Sequence, residues 1–388
     1  MRLILALTMA VMLCTSLIAT PAITNVTAQQ RYPWNGKVDI TYTVLGIDDL
    51  ETVKKEYGLL ALNLKVSAID CDSGVTNVAI ALSGDTALTN GTHCIVWDMN
   101  ADGLTFKSSN VVFSVSCETT LATYCVIDLS EGENASSYPI TYLAEPPPSS
   151  FNTDEYKTTK LVLKRIEAGS YKMCGLVDVT LTKSFFIGLY EVTQRQYQLV
   201  NGNNPSSFSG DKKPVEHVSY NTIRGGTNGA NWPSSSAVDA SSFMGKLRAR
   251  TGLDFDLPTE AQWEYACRAG TTTTYSYGNS VNGSYMWYHD NSSKQAHDVG
   301  TKQPNPWGLY DMHGNVFEWC LDWYASNLSG GTDPKGPSVG SSHVSRGGCW
   351  YYGETTCTSS YRSSSSEYQS DEYSHNKYGF RLARTLDK

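Results

Sequence analysis

From Gly270 to the C-terminus the chain carries no strong helical periodicity, and turn residues and aromatics dominate instead. Asn305-Pro306-Trp307-Gly308 and Gly314-Asn315 are tight-turn sequences. A segment this long with so little regular structure needs other supports, such as buried Trp, disulfides or bound cations. Charged residues make up 18% of the chain, and Gly (32 residues), Tyr (24), Ser and Thr supply the missing polarity. Low charge with 11% aromatics excludes disorder, and the lack of an Ala/Glu/Lys/Leu bias excludes a coiled coil. A net charge of -8 argues against nucleic acid as a partner. The class expected is a loop-rich α+β protein. At roughly 100–200 residues per domain, 388 residues suggest two or three domains.

The N-terminus reads as a signal peptide over residues 1–28: Met1-Arg2, an apolar stretch from Leu3 to Ala19, then Val26-Thr27-Ala28 as a small-residue cleavage site. Ala19 to Ala22 offers an earlier site. Leu13 before Cys14 argues against a lipoprotein. No other apolar run is long enough for a transmembrane segment after cleavage, so the expected location is secreted or periplasmic, in the cell envelope. Of 10 cysteines, nine remain once Cys14 is removed. Export permits disulfides, and an odd count leaves a free thiol or an intermolecular partner.

Residues 29–144 read as an all-β sandwich. Val38–Val44, Leu62–Ile69, Val78–Leu82 and Val111–Ser116 alternate with period two. Asp72-Ser73-Gly74, Thr89-Asn90-Gly91 and Asn100-Ala101-Asp102-Gly103 supply the turns. Cys71, Cys94, Cys117 and Cys125 fall here and are expected to form structural bridges of undetermined pairing. Residues 145–157, with Pro146-Pro147-Pro148, read as an extended linker. The second domain spans 158–388. It is expected to hold helices over Thr193–Val200, stopped by Asn201-Gly202, and over Ala237–Arg250, capped among Ser234–Ser236 and stopped by Gly252. A third follows Pro258, with a Thr259/Gln262 capping box and Gly270 as the left-handed terminator. Its Trp263, Ala266 and Cys267 share an inward face.

Several long strings in this domain occur in a fixed order: Phe186–Gln194, Asn204–Phe208, Pro214–Glu216, Leu257–Gly270, Trp307–Trp319, Arg346–Trp350 and Tyr378–Arg381. Together they resemble the formylglycine-generating enzyme (sulfatase-modifying factor) family. The resemblance implies a C-type-lectin-like fold and, for the enzymes, oxidation of a substrate cysteine to formylglycine. That chemistry uses copper(I) held by two cysteines five residues apart, since a soft monovalent ion prefers thiolates. Counting from Arg346-Gly347-Gly348, the second enzyme cysteine falls on Cys357 and the first on Tyr352, a poor copper(I) ligand. The usual dithiol is therefore missing. Cys349 stands eight residues before Cys357 where the family commonly has Ser. A displaced copper site at Cys357 and Cys349, with Trp319 alongside, competes with a disulfide from Cys357 to Cys267, Cys320 or Cys349. Trp319, like Trp323 and Trp350, is most often a core aromatic in such a fold.

The resemblance also implies calcium at Gly314, Asn315, Val316 (through its carbonyl) and Glu318, because hard oxygens from a turn suit that ion. The simpler reading is that Glu318 accepts hydrogen bonds from nearby amides. Residues 351–378 form a Tyr/Ser/Asn-rich stretch whose composition resembles an antibody paratope. In proteins diversified by retroelements the same fold varies residues just before the closing Gly-Phe-Arg. Tyr351, Tyr352, Tyr361, Tyr368, Tyr373, His375 and Asn376 are the candidate contacts for a protein or glycan ligand. A sulfatase-type substrate is the partner if the domain is enzymatic.

Overall fold

The computed structural model describes residues 22–31, 35–45, 47, 49–104, 110–363 and 374–386. The chain divides into two compact units, with the break between Leu121 and Ala122.

The first unit contains β1 (Ala22–Gln30), β2 (Lys37–Leu45), α1 (Leu50–Tyr57), β3 (Leu59–Asp70), β4 (Val75–Val78), β5 (Leu82–Gly84), β6 (Gly91–Asp98) and β7 (Val111–Leu121). They form two antiparallel sheets of order β1-β2-β6-β5 and β4-β3-β7. Alternation along β2 buries Val38, Ile40, Tyr42 and Val44, which join Val66, Ala68, Trp97 and Phe113 in one cluster. That is the outcome of a period-two pattern with one face turned to the core. Two expectations need correction. The run 78–82 is not one strand, because β4 ends at Val78 and β5 begins at Leu82. Residues 50–57 form a helix, capped by the Asp49 side chain and closed by left-handed Gly58. Of the expected signal peptide 1–28, residues 1–21 with Cys14 lie outside the described residues, and residues 22–28 lie in β1, which is paired with β2 along most of its length. A cut after Ala28 would remove most of β1, whereas one at Ala19–Ala22 keeps at least the strand's last eight residues.

The second unit begins with β8 (Tyr124–Asp128) and β9 (Ile140–Leu143). Then follow α2 (Glu155–Thr158), β10 (Lys160–Ile166), β11 (Gly169–Met173), β12 (Val177–Leu181), β13 (Phe185–Gly188) and α3 (Gln194–Asn201). Next are α4 (Tyr220–Arg224), α5 (Phe243–Thr251), α6 (Glu260–Arg268) and β14 (Phe317–Trp323). The unit ends with β15 (Gly331–Thr332), β16 (His343–Arg346), β17 (Tyr378–Gly379) and β18 (Ala383–Thr385). A five-stranded sheet of order β18-β13-β10-β8-β9 joins its two ends, and β11-β12-β15 and β16-β14-β17 complete the strand structure. The domain boundary expected at 144 is thus wrong: β8 and β9 pair with each other and with β10, so Cys125 belongs here. The segment 145–157 is not a linker between domains. Phe151 and Tyr156 lie in the core of this unit, and the Tyr190 hydroxyl donates to the Phe151 carbonyl.

Of the caps expected from sequence, the one at Thr259 holds. Thr193 and Thr259 form capping boxes with Gln196 and Gln262. α5 starts later than expected, because Ser242 rather than a serine at 234–236 caps it. After α6 it is Ala269 that takes the left-handed C-cap position, and Gly270 follows with positive φ as well. Trp263, Ala266 and Cys267 are fully buried on one face. Burial of each large apolar side chain contributes about 1.5–3 kcal/mol, and aromatics carry much of this core. The expected disulfide supports are absent among the described residues: all nine described cysteines are free thiols.

Candidate functional site

Alternation along β14 is suspended, since Phe317 to Asp322 are all buried. Strand β16 flanks it on one side and β17 on the other. This double cover leaves a charged Glu318 with no water, so it must be satisfied internally. Arg381 supplies that: Nε donates to Oε2 and Nη2 to Oε1, both at 2.5 Å, and Trp263 Nε1 donates to Oε2 at 2.6 Å. Asn315 and the Val316 amide are engaged as well. Asn315, with φ +63°, donates from Nδ2 to Glu191 at 2.6 Å and accepts the His297 amide at Oδ1. Its carbonyl accepts the Trp350 amide, and the Val316 amide donates to Glu191. Gly314 cannot carry a side chain, because a Cβ there would lie 2.1 Å from the Trp287 carbonyl oxygen. In the set expected to hold calcium, Gly314, Asn315, Val316 and Glu318, the carboxylate is thus closed by a guanidinium. Glu191, from the quoted Tyr190-Glu191-Val192 string, is the carboxylate that organises the turn. Burial pushes its carboxyl well above the usual range.

Beyond β16 the chain passes through Gly347 and Gly348, both with positive φ. A Cβ on Gly348 would stand 2.6 Å from Cys357 Sγ, so the glycine lets the strand end press against that thiol. Cys349 and Cys357 are both fully buried. Burial raises the Cys349 thiol to about 12, partly offset by the amides of Tyr351 and Tyr352. Burial raises Cys357 further, and the neighbouring Cys349 adds to the rise. His313 fixes the backbone beneath them. Its Nδ1 donates to the Cys357 carbonyl at 2.7 Å, and its Nε2 accepts from the Ser276 amide at 3.1 Å. Burial lowers His313 to about 4, so the ring stays neutral. Reactive thiols are exposed and low in pKa, and these two are neither.

Trp319, expected beside the cysteines in a catalytic role, is a core aromatic. It is buried, donates to the Val218 carbonyl at 3.0 Å and stacks on Tyr378 at 5.3 Å.

The candidate ligand face is only partly brought together. Tyr351 and Tyr352 are exposed, at 48% and 39%, and stand edge to face with centroids 5.1 Å apart. Trp350 is buried behind them, edge-on to Phe208, and donates to the Asn376 carbonyl at 2.9 Å. His375 is half-buried and faces His217 at 6.0 Å. Tyr361 is half-buried, and its carbonyl accepts from Arg346, which also pairs with Glu264. Tyr368 and Tyr373 lie outside the described residues. Lys377, which sequence reasoning passed over, sits over both exposed rings, at 4.2 Å from the Tyr351 centroid and 4.7 Å from that of Tyr352. Only the position of Lys377 one residue before β17 could have signalled this.

Comparison with known proteins identifies the class. Residues 151–386 match the sulfatase-modifying factor enzyme 1-like domain, and the chain belongs to that family. It is 29% identical over 255 residues to the chaperone protein LppX of Paenibacillus barcinonensis, covering 55% of this chain and 87% of that protein. It is 33% identical over 148 residues to the formylglycine-generating enzyme of Streptomyces coelicolor, covering 34% of this chain and 47% of the enzyme. The matched region thus spans about half of that enzyme's length. Among solved structures, Treponema denticola variable protein 1 aligns with a TM-score of 0.49 and 30% identity over 58% of this chain and 95% of that one. PvdO from Pseudomonas aeruginosa aligns with a TM-score of 0.43 and 24% identity over 58% and 94%. No helix among the described residues is long and apolar enough to cross a membrane.

Proposed function

We propose that this chain is an exported, non-catalytic member of the sulfatase-modifying factor family that binds a protein partner through the face around Tyr351 and Tyr352. One observation carries the reading: the position of the first copper-binding cysteine holds Tyr352, an exposed phenol engaged with Lys377. The remaining thiols, Cys349 and Cys357, are buried and held in their protonated form. A substrate cysteine would have to reach a metal on those two sulfurs, and their burial closes that route. The resident residues therefore do not fit copper(I), and no oxidation step is assigned to them. The name of the Paenibacillus barcinonensis relative, a chaperone protein, favours a protein over a glycan as partner. In this reading the apolar stretch from Leu3 to Ala19 belongs to the signal segment, the first unit is a β-sandwich, and the second has a C-type-lectin-like core.

Copper(I) titration of the reduced protein against a competing chelator, with thiol counting, tests this. The expected result is no stoichiometric copper. Tight binding that disappears in Cys349→Ser and Cys357→Ser would restore the oxidase reading.

A further inference from the structure

We infer that Tyr351 and Tyr352 form a cation-accepting cleft, filled from within by Lys377, and that the protein partner presents a lysine-type ammonium to the same two rings. This rests on the reading of the face as a protein-binding surface.

The rings stand at 89° and make two walls of a notch. The Lys377 ammonium lies in it, within cation–π distance of both rings, and donates to the Tyr352 hydroxyl at 3.1 Å. The backbone around it is fixed independently of the side chain. The Lys377 carbonyl accepts from the Phe317 amide at 2.7 Å, the Asn376 carbonyl accepts from Trp350, and Tyr378 opens β17 against β14. Only the butyl-ammonium arm has to swing for the notch to open, so the rings stay in place for an incoming group.

Two acidic residues follow closely in the chain or lie one hydrogen bond away. Asp290 pairs with His289, whose amide donates to the Tyr352 carbonyl, and Glu354 sits on the short 3-10 turn after Gly353. His375 is depressed by burial and then by Lys377 and His217, which leaves it uncharged near neutrality. The whole chain carries -8. With Lys377 displaced, an external ammonium meets two aromatic faces in an acidic protein.

The test uses the full chain and two probes, a lysine-rich hexapeptide and a glutamate-rich one, titrated by calorimetry. Lys377→Met keeps the length of the arm, removes the competing charge and should tighten binding of the lysine peptide about tenfold (about 1.4 kcal/mol). Tyr351→Leu with Tyr352→Leu should abolish that binding. Tyr351→Phe with Tyr352→Phe should retain most of it, which separates loss of the ring face from a folding defect. Equal affinity in the wild type and Lys377→Met would overturn the inference. Binding of the glutamate peptide that is lost in Lys377→Met would also overturn it, while leaving the protein-binding reading intact. Copper binding by Cys349 and Cys357 would sink that reading and leave the peptide result standing.

Discussion

Arg381 closes both carboxylate oxygens of Glu318, each at 2.5 Å, in a pair that no water reaches. The closing Gly-Phe-Arg string is thereby tied to the Gly-Asn-x-x-Glu turn across 63 residues of chain. The pair does structural work at the place where a calcium carboxylate was expected.

Glu318→Gln leaves Arg381 buried without its counter-charge. Breaking a buried pair from one side costs about 3–5 kcal/mol. Urea unfolding should show that loss, and Glu318→Gln with Arg381→Met should recover part of it. A change below about 1 kcal/mol would mean that water or another acid satisfies Arg381.

Calcium removal should do nothing. With Glu318 held by Arg381 and Asn315 by Glu191 and His297, excess EGTA is expected to leave the melting temperature unchanged. A drop of several degrees that calcium restores would show that the turn holds the ion after all.

Thiol reactivity should fall into two classes. Cys71 and Cys94 are exposed, whereas Cys125, Cys267, Cys320, Cys349 and Cys357 are buried. A thiol-disulfide reagent should label the first pair within minutes, and the buried set only when urea is added. Fast labelling of Cys357 in the native protein would contradict its burial.

Acid should weaken the fold through His313. Its folded value, about 4, lies below the ordinary 6.5. The unfolded chain therefore takes up the proton first, and stability falls as pH drops from about 6.5 towards 4, by about 3 kcal/mol in all. Asp322 acts with the opposite sign. Burial raises it to about 8 from 3.8, so its protonated form favours the fold below about pH 4 and that contribution is lost as pH rises to about 8. His313→Asn should flatten the acid limb of a stability–pH profile and leave the alkaline limb unchanged. An unaltered acid limb would remove His313 from this role.

Gly348→Ala places a Cβ 2.6 Å from the Cys357 sulfur at φ +79°. Backbone strain of this kind costs of the order of 1–3 kcal/mol, and the clash adds to it. A melting temperature close to the wild-type value would show that the Cys357 loop shifts freely.

Local signals were legible wherever one residue type solves a local problem. Thr259 with a glutamine three residues on fixed one helix start, and the alternation of Val38 to Val44 fixed a strand and its buried face. The ordered strings fixed the family. The boundary at residue 144 misled because Pro146–Pro148 reads as a break, whereas the chain there packs Phe151 into the second core. Cysteine count suggested bridges, but pairing depends on the distance between Cα atoms that sequence does not contain.

By itself, the sequence determined a capped helix, the alternating strands and the family. Tertiary structure alone decided which carboxylate meets which guanidinium, that Cys349 and Cys357 lie buried, and that Lys377 fills the notch between Tyr351 and Tyr352. The reason is physical: caps and alternation are satisfied within a few residues, whereas ion pairing, burial and ring contacts join residues 25 to 124 positions apart.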